Sequence, residues 1–350
     1  MQKKILLSIF LFPSVTALQA QDSAKISPLK FSGSADAYFR YDFNNPKNVF
    51  HNNNTSFTNS QNSFELGMVS FKTEYTAGKA GVVADIGFGK RADEFSYNDK
   101  GSGIAIKQLF FTYAASSRVK FTLGSWTTHI GYELVDAYLN RNYSMSYLFS
   151  YGPFFHTGLK GELACSEKTV LMAGIVNPAD LKNAGNLPKT IIAQLATGSK
   201  DDKLKIYFNY QGGKNTDSSR LYQGDVVVNY VFCPKFNLGY NGTIQSRQSS
   251  AAGKWQDAKS WWGSALCLNT DPKDWMGFTL RGEYFSDKEN VLGFNTAVFE
   301  TTLSGNFKID NLTLIPEFRF ENAGKKIYSK SNGNDINNTG NFILAAVYHF

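Results

Sequence analysis

The sequence predicts an all-β fold: a closed transmembrane antiparallel up-and-down β-barrel of about 16 strands. Three observations carry that prediction. Segments of about ten residues recur in which apolar and polar side chains alternate with period two. The connections between them alternate between short and long. The chain also ends on such a segment, NFILAAVYHF, with an aromatic as its last residue, Phe350.

Residues 1–20 come first and read as a secretory signal. Lys3 and Lys4 form the charged start, Ile5 to Phe12 the apolar stretch, and Ala17 to Gln21 a small-residue exit with a cut expected after Ala20. The apolar stretch is too short to span a bilayer, and no Cys at the cut marks a lipid anchor. No run of 18 apolar residues follows. The expected organisation is a signal at 1–20 and one barrel domain at 21–350, with a long third loop at 128–155.

The strands follow in order. In 29–43, Phe31, Gly33, Ala35, Ala37, Phe39, Tyr41 and Phe43 face one way and Asp36, Arg40 and Asp42 the other. Segment 63–76 slips in phase between Met68 and Val69, which predicts a bulge. Segments 81–92, 105–115, 118–127, 156–165 and 168–177 follow, then 189–198, where alternation is faint. Segments 202–212, 221–233 and 236–248 come next. The last of these sets Phe236, Leu238, Tyr240 and Ile244 against Asn241, Thr243, Gln245 and Arg247. Segments 259–270, 274–286, 294–308, 311–323 and 339–350 complete the series. No helix is expected.

The connections sort by parity. Short ones fall at 77–80, 116–117, 166–167, 199–201, 234–235, 271–273 and 309–310. Long ones fall at 44–62, 93–104, 128–155, 178–188, 213–220, 249–258, 287–293 and 324–338. A soluble sandwich has no reason to do this. A membrane barrel has tight turns on its periplasmic rim and longer loops outside. A barrel must also close, because an open edge leaves backbone groups unpaired in lipid. The last strand must therefore pair with the first. Tyr348 and Phe350 then face lipid near a rim, as a closure signal that barrel-assembly machinery would read.

With that phase, charged residues point inward, as a watery lumen permits. The expected lining includes Arg40, Lys120, Lys160, Glu162, Lys205, Arg247, Arg281, Glu283 and Arg319. Over the whole inward set, whose acids also include Asp36, Asp42, Asp225, Glu317 and Glu321, the signs nearly balance, which argues against strong charge selection. The third loop is rich in rings: Tyr132, Tyr138, Tyr143, Tyr147, Phe149, Tyr151, Phe154 and Phe155. So many rings in a solvated loop are costly, so the segment is expected to fold against the inner wall and narrow the passage. Glu133, Asp136 and Arg141 are the expected constriction charges. The tryptophans Trp126, Trp255, Trp261, Trp262 and Trp275 are expected as interfacial anchors.

The same segment carries a resemblance. Gly131-Tyr132-Glu133, Asn140-Arg141-Asn142-Tyr143-Ser144, Leu148-Phe149, Pro153 and His156-Thr157-Gly158 resemble the signature region of the putative β-barrel porin-2, OmpL-like family. His129 stands where that family's pattern has a proline. The resemblance implies a Gram-negative outer-membrane porin with no catalytic residues.

Other chemistries find little support. Charge is +7 but dispersed, with no basic block for nucleic acid. Cys165, Cys233 and Cys267 are odd in number and match neither a disulfide framework nor a zinc site. The four His form no metal pair, and no nucleophile elbow or complete phosphate loop is present. The expectation is a non-enzymatic channel without cofactor or metal, with outer-membrane lipid and small hydrophilic solutes as partners. A homotrimer is one assembly open to such a barrel. The competing reading is a non-conducting surface barrel, adhesin or structural, acting through outer loops such as the Asn-rich 44–62.

Overall fold

The computed structural model describes residues 28–98 and 105–350, so the expected signal at 1–20 lies outside the described residues. Sixteen long strands close into one antiparallel barrel: β1 (Lys30–Asp42), β2 (Ser63–Ala77), β3 (Ala80–Phe88), β4 (Ala105–Ala114), β5 (Val119–Thr127), β6 (Phe155–Ala164), β7 (Val170–Val176), β8 (Thr190–Gly198), β9 (Leu204–Thr216), β10 (Ser219–Cys233), β11 (Phe236–Ala251), β13 (Lys259–Lys273), β14 (Met276–Ser286), β15 (Ala297–Ile309), β16 (Leu312–Ala323) and β19 (Asn338–His349). Three two-residue pieces sit among the outer loops: β12 (Lys254–Trp255), β17 (Tyr328–Ser329) and β18 (Asp335–Ile336).

Each strand pairs with its chain neighbour, and β1 pairs with both β2 and β19. That last pairing leaves no open edge in the bilayer. Closure continues to the final residue. Gly33 and Phe350 exchange backbone hydrogen bonds of 3.1 and 3.0 Å, and the Phe350 ring lies 6.0 Å from Phe31. Tyr348 and Phe350 are exposed on the outer face, as the alternation predicts.

The phase slip in β2 is a bulge. Register jumps from Ala35↔Val69 to Ala37↔Leu66, so Gly67 and Met68 together oppose Asp36. A Cβ at 67 would stand 1.7 Å from Asp36 Oδ2, so any larger residue must displace that carboxylate.

The structure corrects three expectations. Short helices do occur: α1 (Lys90–Phe95) ends the third segment at the rim, and α2 (Tyr147–Tyr151) and a 3-10 turn (Ala137–Leu139) lie in the third loop. The connection expected at 213–220 is a tight hairpin, because β9 and β10 extend to Thr216 and from Ser219. Residues 213–220, GKNTDSSR, are glycine or polar throughout, so no apolar alternation marks the strand ends. Finally, Trp126 and Trp261 are not interfacial anchors: they are buried on the inner face, whereas Trp262 and Trp275 are exposed outside.

The inner wall is not uniformly polar. Ile315, Ile343, Ala345 and Val347 on β16 and β19 face inward and form a cluster with Tyr38, Ala137 and Tyr143. A second cluster joins Tyr147 and Leu148 to Trp261, Phe285, Val298 and Tyr328. A third joins Phe57 and Phe95 to Val135, Met145, Phe149, Phe154 and Phe155. All three contain residues of the third loop, whereas two smaller clusters, Trp126 with Met172, Val176 and Ile192, and Met68 with Ala92 and Ala105, do not.

Candidate functional site

The third loop leaves β5 at Thr127 and re-enters the wall at Phe155, joined across its mouth by the Thr128 N–H to Phe154 carbonyl bond of 2.9 Å. Between these points it runs down inside the barrel. Its tip reaches the periplasmic end, where the Tyr138 ring stacks on His349 at 5.2 Å and Arg141 forks onto Asp271 with contacts of 2.8 and 3.0 Å. The aromatic content that made a solvated loop costly is thus placed in apolar contact.

The segment is braced internally. Asn140 Nδ2 donates to the Leu134 carbonyl and the Leu134 N–H donates back to Asn140 Oδ1. Glu133 accepts from the Ser146 N–H and hydroxyl at 2.8 and 2.7 Å. Ser146 Oγ in turn caps α2 by accepting from the Phe149 N–H.

It is also tied to the wall around the circumference. On β1, Asp36 accepts from the Tyr143 hydroxyl at 2.6 Å. Lys107 on β4 pairs with Asp136 at 2.5 Å and with Asp85 at 3.0 Å. The β10 residue Asp225 accepts from the Gly131 N–H at 3.1 Å. On β14, Arg281 pairs with Glu133 at 2.5 Å and with Glu300 at 3.2 Å, while Glu283 accepts from the Tyr147 and Leu148 N–H groups at 2.8 Å each. From β16, Glu317 accepts from the Tyr143 and Ser144 N–H groups, and Arg319 donates to the Met145 carbonyl at 2.7 Å. Carboxylates that accept two adjacent backbone N–H groups stabilise both their own charge and a turn that has no ladder partner.

The three expected constriction charges are therefore in the lumen, each engaged by the wall: Glu133 by Arg281, Asp136 by Lys107, and Arg141 by Asp271 and by Thr279 at 2.8 Å. Glu133 and Asp136 are buried. Arg281, Glu283 and Arg319, expected to line water, lie buried under the segment. Arg40 is also covered, donating to the His51 and Ser60 carbonyls of the first loop at 3.0 and 2.6 Å. Arg247 donates to Gln245 at 2.6 Å near the outer end of β11. The remaining lining charges are more open. Lys120 and Lys160 share Glu162 on the periplasmic halves of β5 and β6, with 37, 16 and 20% of their respective side chains exposed, and Lys205 lies on the inner face of β9.

Two cavities beside the segment, bordered by Tyr132, Glu133, Cys267 and Arg281 among others, hold about 10 Å³ each, room for about one water. At the outer end, Asp180 clamps the returning limb by accepting from the Phe154 and Phe155 N–H groups at 2.6 and 3.0 Å and from the Tyr97 hydroxyl at 3.1 Å. Burial pushes its carboxyl up to about 6. Burial likewise raises Glu94, which accepts from the Phe57 N–H.

Sequence reasoning missed Lys107, Glu300, Asp180 and Asp271 as members of this network. Lys107 falls at a register shift in the β3–β4 pairing, which hid its inward phase. Glu300 alternates with Val298 and Thr302, a signal that could have found it. Asp271 was assigned to a turn. Among the described residues no group of three or more His, Cys, Asp or Glu is placed to hold a metal ion.

A family model described as putative beta-barrel porin-2, OmpL-like matches residues 28–350. Among solved structures, the chain is similar to an anion-selective porin from Comamonas acidovorans, with a TM-score of 0.62 at 10% identity, covering 93% of this chain and 100% of that one. It is also similar to the outer membrane channel DcaP of Acinetobacter baumannii, with a TM-score of 0.62 at 11% identity over 92% of this chain and 97% of that one. OmpT of Vibrio cholerae gives 0.58 at 11% identity, with coverage of 92% and 97%. At these identities the likeness is one of fold. No curated protein matches.

Proposed function

The chain belongs to the putative β-barrel porin-2, OmpL-like family of outer-membrane barrels, and from that premise we propose that it passes small hydrophilic solutes by passive diffusion with weak selectivity. The observation that carries this reading is the inner wall. Beneath the segment its bases Arg281, Arg319 and Lys107 are paired with acids, and on β5 and β6 Lys120, Lys160 and Glu162 stay partly exposed and paired. Such a wall suits water and gives no strong preference of sign. The segment 128–155 would set the passage. Glu133, Asp136 and Arg141 would act by fixing where it lies, and Lys120, Lys160 and Glu162 would be the charges that solutes meet on the periplasmic side.

Export by the 1–20 signal, recognition of the last strand by the assembly machinery and a homotrimeric state belong to the same proposal. Two of the similar structures are an anion-selective porin from Comamonas acidovorans and a trimer form of OmpT of Vibrio cholerae. Unit conductance of the purified full-length protein in a planar bilayer tests the reading: steps above the lipid baseline are expected.

The second reading, a non-conducting surface barrel, is favoured by one specific observation: hydrogen bonds and ion pairs fasten the segment to β1, β4, β10, β14 and β16. A folded, inserted protein with no conductance under any condition would establish it.

A further inference from the structure

We propose that the outward face of β8, β9 and β10, at the long-loop end of the barrel, binds the phosphate group of an outer-leaflet lipid. This goes beyond the channel reading and holds whether or not the barrel conducts.

The first observation is a row of bases. Tyr222 on β10 is exposed on the outer face, so Arg220, two residues along the strand, shares that face. Arg220 stands opposite Lys214 on β9. Continuing the Thr190↔Gly213 register by one residue sets Lys189 beside Lys214. Neighbouring strands lie about 4.8 Å apart, so three cations stand side by side at one level of the outer wall. Like charges placed opposite each other repel. Among the described residues no ion pair offsets that repulsion: Lys189 donates to the Leu187 carbonyl at 3.1 Å, and Asp217, exposed at the tip of the same hairpin, pairs with none of the three.

The second observation is depth. The ten residues from Tyr222 to Phe232, at about 3.4 Å each on a strand tilted by about 40°, span about 26 Å, the height of the apolar band of such a barrel. Tyr222 thus marks the outer edge of the band, and the bases lie just beyond it, among lipid head groups. Below them on the same face Ile191, Phe208 and Ile244 are exposed to acyl chains. Cations directly above an apolar wall suit an anionic amphiphile rather than a dissolved ion.

The third is that Arg220 is held in place. Its Nε donates to Gln248 Oε1 at 2.6 Å, and its guanidinium lies 4.3 Å from the Trp255 ring centre. Those contacts fix the plane of the group and leave its two terminal nitrogens without a protein partner among the described residues. A fixed planar fork with free donors matches phosphate, which accepts two bonds at once.

The experiment uses purified full-length protein in non-ionic detergent, diphosphoryl lipid A as the probe, and native mass spectrometry to follow the bound lipid. The parent is expected to hold the lipid. Lys189→Gln/Lys214→Gln/Arg220→Gln is expected to weaken binding about a hundredfold, since each base near a membrane surface contributes about fivefold. Arg220→Lys keeps the charge but loses the fork, and should bind between the two. Lys47→Gln/Lys325→Gln/Lys326→Gln, which neutralises exposed bases elsewhere on the outer loops, should bind as the parent does. Parental binding by the first triple variant, with its barrel shown intact by heat-shifted mobility, would overturn the proposal. If that variant does not fold, Arg220→Gln alone decides, with about a fivefold loss expected and parental binding overturning the site. Equal loss in the control triple, or equal binding of the lipid stripped of its phosphates, would also overturn it. Displacement of the lipid by inorganic phosphate would mark a site for the free ion and overturn the assignment to a lipid.

Discussion

Arg281→Met should loosen the central segment more than any other single change in the wall. Arg281 is buried, and its guanidinium meets Glu133 at 2.5 Å, the Ser144 carbonyl at 2.9 Å and Glu300 at 3.2 Å. Methionine fills much of the volume but leaves two buried carboxylates without their shared cation, beside Glu283. Removing one member of such a buried set costs about 3–5 kcal/mol. Glu133→Gln is milder, since Arg281 keeps Glu300 and the amide still reaches Ser146; about 1–3 kcal/mol is expected. The double variant should cost less than the sum, with a coupling of about 1–3 kcal/mol.

Hydrogen exchange on the inserted protein reads this directly. The Tyr143, Ser144, Tyr147 and Leu148 N–H groups donate to wall carboxylates and exchange only when the segment lifts. At 1.4 kcal/mol per tenfold, Arg281→Met should speed their exchange roughly 100-fold or more. The amides of β14 and β15, held in ladders, should hardly change. Exchange within about threefold of the parent, or a coupling below about 0.3 kcal/mol, would refute the claim that this ion pair holds the segment.

Three further outcomes are expected. The Asp180 carboxyl, raised to about 6 by burial, holds its proton more tightly in the clamp than when released, so the clamp's stability is full below about pH 4 and is lost as pH rises through 6; the span is up to about 3 kcal/mol. Opening at residues 154–156, after correction for intrinsic exchange, should therefore be rarer at pH 5 than at pH 7.5, and Asp180→Asn should flatten that difference. Gly67→Ala must displace the Asp36 carboxylate, which accepts from the Tyr143 hydroxyl; the midpoint of heat-induced mobility change should fall, at a cost of about 1–3 kcal/mol, while Gly224→Ala, with nothing within 4 Å of the added carbon, should leave it unchanged. Deleting Phe350 removes the last hydrogen-bonded pair with Gly33 and the ring contact to Phe31, so less barrel should reach the outer membrane; parental levels would show that the terminal ring is dispensable.

What was legible in the sequence and what was not divides along the range of the forces involved. Alternation of side chains is fixed within a strand, so β1, β11 and β16 could be placed with the correct face outward from their own residues. Closure followed from the absence of water in the bilayer, which fixes the β1–β19 pairing without any local signal. Even the bulge at Gly67 and Met68 showed as a slipped phase. The lumen network is different in kind. Arg141 meets Asp271 across 130 positions, Glu133 meets Arg281 across 148, and Tyr143 meets Glu317 across 174. No periodicity encodes such a pairing. The sequence indicated only that rings and charges in 128–155 had to find partners. An inner wall of free charges and a loop full of rings were expected separately, and the structure joins them: Asp36, Lys107, Asp225, Arg281, Glu283, Glu317 and Arg319 hold segment backbone groups, a segment hydroxyl or segment counter-charges. The place of the segment is thus set by pairs between residues far apart in the chain, which is why the rings and charges of 128–155 could be recognised in the sequence while their partners on the wall could not.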